Sequence, residues 1–154
     1  MPTRVYECDK SEAQTLKKAL EYDPYTDTSV IPSAPGCADK PLDKLSDAER
    51  IELDEYEKKV KKALDNLDKD PRAQAIFIRQ TCSLRDGAML GLSSDKMYLY
   101  IEATDEFFAK AEQRFKSEFK SIKRAQKKDE ESVITTIKNE EEKAGTGFGS
   151  IFGG

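Results

Sequence analysis

The sequence predicts an all-α protein: a small helical bundle built on a helical hairpin and one very long C-terminal helix, preceded by a Pro-rich extended strap and followed by a Gly/Phe tail. Three observations carry this expectation. Residues 94–144 contain neither Pro nor Gly, and Met97, Ile101, Phe108, Ala111, Phe115, Phe119, Ile122, Val133, Ile137 and Ala144 fall within about 40° of one line at the helical period. Residues 46–67 combine a capping box with a heptad seam. Residues 70–90 open with Asp-Pro and carry apolar side chains on more than one stripe, the pattern of a central helix. The chain divides accordingly into an N-terminal arm, short helix and strap (1–45), a helical domain (46–144) and a tail (145–154).

Thr3 to Cys8 is β-prone but short and isolated, so an extended arm is expected rather than a sheet. Asp9 with Glu12, or Ser11 with Gln14, has capping-box spacing for a short helix that carries Ala13, Leu16, Ala19 and Leu20. Asp23-Pro24 ends it, because the residue before proline resists helical geometry. Pro24, Pro32, Pro35, Pro41 and Gly36 then forbid a long helix over residues 23–45. That stretch is punctuated by Tyr22, Tyr25, Val30, Ile31 and Leu42. It reads as a strap that wraps its own bundle, lies in a partner's groove or is disordered.

Ser46-Asp47-Ala48-Glu49 starts the next helix. Leu53, Tyr56, Val60, Ala63 and Leu67 follow at alternating spacings of three and four, a coiled-coil type of seam. Acids precede lysines along it, as the helix dipole favours, and Asp54–Lys58, Glu55–Lys59 and Glu57–Lys61 have ion-pair spacing. This charge run is expected to be a solvated face. A second helix from Asp70-Pro71 to about Leu90 completes the hairpin, with Cys82 as a small hydrophobe in its core. Gly87 and Gly91 turn the chain into the long helix, for which Ser93, Ser94 and Asp95 are the cap candidates and Gly145 the left-handed terminator. A bend near Asp129 is the alternative to an unbroken helix.

Charged residues make up 36% of the chain and apolar ones 37%, with a net charge of −4. The low apolar fraction leaves helix surface that the chain's own core does not cover, and the acidic balance argues against DNA binding. The chain has no histidine and three cysteines (Cys8, Cys37, Cys82) without a C-x-x-C pair. That removes the commonest general base, the Ser–His and Cys–His nucleophile pairs and imidazole metal ligands. Reduced thiols in a reducing soluble compartment are expected, with a Cys8–Cys37 disulfide as the alternative. No cleavable signal peptide or membrane-spanning run is legible. No catalytic, cofactor or metal-ligating residue is expected, and no phosphate-binding glycine motif precedes a helix.

Two constellations point to binding. Residues 107–128 carry Lys110, Arg114, Lys116, Lys120, Lys123, Arg124, Lys127 and Lys128 against two acids, a local charge of +6, whereas residues 129–143 carry six acids against two lysines. Two copies running antiparallel through the long helix would match basic to acidic. The tail displays Phe148, Ile151 and Phe152 among glycines. The expectation is a non-catalytic helical subunit, linker or assembly factor that docks other proteins through Val30 and Ile31 of the strap, Phe119, Ile122, Val133 and Ile137 of the distal long helix, and the tail. On this reading Ile122 and Ile137 lie outside the monomer's own core. An RNA backbone or anionic membrane surface held by the 107–128 basic face is the alternative.

Overall fold

A computed structural model describes the backbone of residues 1–152 and the side chains of residues 1–145. The all-α expectation is overturned, and with it the helical-bundle and coiled-coil description: 57% of the chain is helical, but 15% forms a four-stranded antiparallel sheet. The strands are β1 (Thr3–Asp9), β2 (Thr81–Asp86), β3 (Lys96–Glu102) and β4 (Lys123–Arg124), in the spatial order β2-β3-β1-β4. The residues expected to be a free arm are thus a central strand.

The two central strands are rich in β-branched and aromatic residues, which suit a pleated surface. Val5, Tyr6, Glu7 and Cys8 of β1 and Tyr98, Leu99, Tyr100 and Ile101 of β3 are all buried. Both faces of each strand are therefore covered, which replaces the usual in–out alternation by a continuous apolar run. Val5 lies opposite Tyr100 and Glu7 opposite Tyr98, and Val5, Tyr98 and Tyr100 share one sheet face. That face is covered by Val133 and Ile137 of α5 (Lys127–Phe152), with Ala125 beside them. On the other face Tyr6 meets Phe108 and Phe115 of α4 (Asp105–Glu118), with ring centroids 6.5 and 5.0 Å away. Phe77 stacks on Phe115 at 5.3 Å and meets Phe107 edge-on at 5.5 Å.

The expected long helix is consequently four elements: β3, α4, β4 and α5. The run Met-Tyr-Leu-Tyr-Ile fits a helical line because every position is apolar enough to match any period. Helix α4 starts at Thr104, whose hydroxyl accepts the Phe107 N–H at 3.2 Å, so Ser93, Ser94 and Asp95 do not cap a helix. It ends at Phe119, whose backbone is extended. No Gly or Pro is needed there, because tertiary bonds hold the chain open. The Glu12 carboxylate accepts the Lys120 and Ser121 N–H groups at 3.0 and 2.7 Å and also the Ser121 hydroxyl. The break therefore falls before Lys127, and Asp129 sits inside the first turn of α5. Gly145 is helical rather than left-handed; among the described residues only Gly91 has a positive φ, 71°.

The expected second hairpin helix is also replaced. Asp70 does cap, accepting the Arg72 N–H at 2.9 Å, and Pro71 opens α3 (Pro71–Gln74). Ala75 then leaves helical geometry, Phe77–Arg79 makes one 3-10 turn, and the chain enters β2. Half-buried Cys82 lies on that strand. Gly87 and Gly91 shape the β2–β3 connection: the Gly87 N–H donates to the Lys96 carbonyl at 2.9 Å and the Gly87 carbonyl accepts the Leu92 N–H at 2.8 Å.

The chain forms two units, Met1–Glu21 with the residues from Phe77 onward, and Tyr22–Ile76. The first holds the sheet, α4, α5 and α1 (Ala13–Glu21), in which Leu16 is buried. Asp9 makes no side-chain cap for the 3-10 turn ahead of α1, since its expected partner Glu12 is engaged at Ser121. In the second unit the proline-rich segment is organised locally. Asp27 accepts the Tyr22 hydroxyl at 2.8 Å and the Ser29 N–H and hydroxyl at 2.9 and 2.7 Å. Short 3-10 turns at Gly36–Asp39 and Leu42–Lys44 lead to α2 (Asp47–Leu67). All three cysteines are free, so the Cys8–Cys37 disulfide does not form.

Candidate functional site

Helix α2 follows from the sequence as read. Ser46 accepts the Glu49 N–H at 3.1 Å and Glu49 accepts the Ser46 N–H at 3.2 Å, closing the capping box. Lys40 holds the same Glu49 at 2.8 Å, and Asp54–Lys58 closes at 3.0 Å between largely exposed side chains. Leu67, at the end of the seam, is buried, while Leu53, Tyr56, Val60 and Ala63 are only half-buried. Leu64 beside them is 40% exposed. Tyr56, Val60 and Leu64 line a shallow groove of about 290 Å³, rimmed by Glu57, Lys61 and Asp65. An apolar stripe of this kind, still partly in water and bordered by charges of both signs, is the anatomy of a helix-docking surface.

The first unit carries two further depressions. One, of about 250 Å³, has Phe115 and Ile122 as apolar walls, Tyr6 and Glu112 on one side and Lys116, Lys123 and Arg124 on the other. The second, of about 290 Å³, lies between β2 and α5 and is lined by Cys82, Ser83, Arg85, Tyr100, Ile137 and Glu140 among others. All three volumes fall below the roughly 300–1,000 Å³ of small-molecule pockets. Among the described residues no group of acidic, cysteine or histidine side chains is placed to hold a metal ion, and no helix is long and apolar enough to cross a membrane.

The residues expected to bind partners fall in both units. Val30 and Ile31 are half-buried in the turn closed by Asp27, whose carbonyl accepts both their N–H groups at 3.0 Å. Phe119, Val133 and Ile137 are 8, 0 and 4% exposed and belong to the first unit's own interior. Ile122 is half-buried in the wall of the 250 Å³ depression. Phe148, Ile151 and Phe152 lie outside the residues whose side chains are described. The basic stretch is no single helix face, since it spans α4, β4 and the start of α5. Arg114 is buried, 2.5 Å from Glu118 and over the Phe77 ring. Lys123 lies 3.4 Å from buried Glu7, and Arg124 forks onto Glu130 at 2.7 and 2.9 Å. Lys110, Lys116, Lys120, Lys127 and Lys128 are exposed.

Several titratable groups are shifted by burial and by partners within the chain. Burial pushes the Cys8 thiol up to about 11 and the Cys82 thiol up to about 12, so neither is an activated thiolate near neutral pH. Burial, then the hydrogen bond to Glu112, raises Tyr6. Burial opposes the charge of Glu130, but the bonds from Arg124 and the Val5 N–H outweigh it and lower its pKa. The Ser121 hydroxyl lowers that of Glu12. These carboxylates are shifted away from the range a general acid needs at neutral pH. Sequence reasoning missed Glu7, Glu12, Glu112 and Glu130 because their partners are about 90 to 125 positions away. The one local signal was an acid, Glu7, set inside the apolar run of β1.

Comparison with protein-family models, curated proteins and solved structures finds no match.

Proposed function

We propose that this protein is a non-catalytic subunit, linker or assembly factor that holds another protein helix along α2. The observation that carries the reading is the half-buried seam Leu53–Tyr56–Val60–Ala63 with exposed Leu64 and its groove. An aromatic anchor flanked by aliphatic side chains and ringed by charge is the composition that concentrates binding energy at protein interfaces. The alternative reading, an anionic surface held by the basic stretch, is weakened because Arg114, Lys123 and Arg124 face carboxylates of their own chain.

The test is recovery of the tagged full chain from its native source, as wild type and as Val60→Asp. The substitution is expected to leave the circular dichroism spectrum and melting temperature within error while abolishing association with the partner chain. Retention of the partner by a folded Val60→Asp protein, or unfolding of the variant, would remove α2 as the docking surface.

A further inference from the structure

We infer that the helix docked on α2 is the α2 of a second copy, running antiparallel; this rests on the proposed docking role of α2. The argument is one of matching pattern. Residues 47–57 carry six acids, Asp47, Glu49, Glu52, Asp54, Glu55 and Glu57, against Arg50 alone, while residues 58–64 carry Lys58, Lys59, Lys61 and Lys62 and no acid. In a parallel pair acids would face acids and lysines lysines, whereas an antiparallel pair crossed near Lys58 lays each acidic half over the other's basic half.

The same crossing matches side-chain size. With seam spacings of three and four, an antiparallel pair about Lys58 sets Tyr56 against the partner's Val60 and Leu53 against the partner's Ala63. Large residues then meet smaller ones, as close packing requires. A parallel pair would set Tyr56 on Tyr56 and leave Ala63 opposite Ala63, a bulge beside a void. The same crossing sets Asp54 and Glu55 level with the partner's Lys62 and Lys61, twice by symmetry. Glu57, close to the axis, meets its own copy, which opposes association. Helix α2 has 21 residues, about 31 Å, and the paired seam runs only from Leu53 to Ala63, so the contact is of the small, transient class. A reversible, concentration-dependent dimer follows, and its ion pairs are sensitive to salt.

The experiment is sedimentation equilibrium of the full chain at low salt from micromolar to millimolar concentration. The wild type is expected to dimerise, and Val60→Asp to weaken dimerisation by about 30-fold or more. An acidic variant, Lys61→Glu with Lys62→Glu, and a basic one, Asp54→Lys with Glu55→Lys, are each expected to be monomeric alone. Mixed in equal amounts they are expected to form a heterodimer, which also shows that both are folded. A wild type that stays monomeric throughout overturns the inference, as does either charge variant dimerising alone as tightly as wild type, or the mixture remaining monomeric. If the wild type is monomeric while Val60→Asp still loses its partner from the native source, the self-pairing inference fails and the docking role of α2 stands. If a dimer forms but survives Val60→Asp unchanged, it forms through another surface and the self-pairing inference fails, while the docking role of α2 is decided by the native-source test.

Discussion

Glu130 closes an edge that β4 is too short to cover. Strand β4 pairs only with Tyr6 and Glu7, and the Val5 N–H beyond it is taken by the Glu130 carboxylate at 3.0 Å. On the other side of β4 the Asp9 N–H is taken by the Ser121 hydroxyl at 3.0 Å. Glu130→Ala leaves the Val5 amide unpaired and frees Arg124, so a loss of about 1–3 kcal/mol is expected in urea unfolding. The pKa of Glu130 is depressed in the fold, as is that of Glu12. The stability each contributes is therefore complete above the unfolded carboxylate value of about 4.3 and is lost as pH falls through the lower folded value. Wild type should accordingly lose stability on acidification more steeply than Glu130→Ala; parallel pH profiles would contradict this role. A second residue is fixed by space alone. A Cβ on Gly87 would stand 1.9 Å from the Ser93 carbonyl oxygen and 2.8 Å from that of Lys96. Both obstacles are backbone, so Gly87→Ala is expected to cost about 1–3 kcal/mol, whereas Gly36, with nothing within 4 Å of its added Cβ, should accept Ala with little change.

Elements were legible in the sequence where their causes are local. The capping box of α2 and the Asp70-Pro71 start are each written within a few residues, and the structure keeps them. Strands β1 and β3 were not, because burial on both faces removes the alternation that marks a strand. The end of α4 was hidden for another reason: it depends on Glu12, more than 100 positions earlier. The helical line through Val133 and Ile137 was real, but its partner is the sheet face of Val5, Tyr98 and Tyr100 rather than another chain. The candidate site fared the same way, since α2 was recognised as a helix while its seam was given to an internal bundle. A paired substitution tests this exchange of roles. Ile137→Ala empties a buried position on α5 and is expected to cost about 2–5 kcal/mol. Leu64→Ala on α2 removes an exposed side chain and should stay within about 0.5 kcal/mol. Thermal melts that rank the two the other way would place the core on α2 and return α5 to the surface.

At the scale of the molecule, the first unit is assembled from both ends of the chain. Helix α1 leads out of it at Glu21 and the chain returns at Phe77. The two points are near one another, because α1 lies against the 3-10 turn Phe77–Arg79. The contacts described for the sheet lie within Met1–Glu21 and the residues from Phe77 onward: the Tyr6–Phe77–Phe107–Phe108–Phe115 aromatic cluster, the Val5–Tyr98–Tyr100–Val133–Ile137 cluster, and the bonds of Glu12 and Glu130. Residues 22–76 are therefore an insertion, and insertions whose ends lie close together are removed at small entropic cost. Replacing Tyr22–Ile76 by a short Gly/Ser linker is expected to leave a chain that melts cooperatively, with strand and helix signals in far-ultraviolet circular dichroism and the slow amide exchange of β1 and β3 retained. The same chain should lose association that depends on α2. A linker variant without a cooperative transition would mean that the sheet and its two helical layers do not suffice for folding, and that Tyr22–Ile76 is part of the core rather than a docking element set into it.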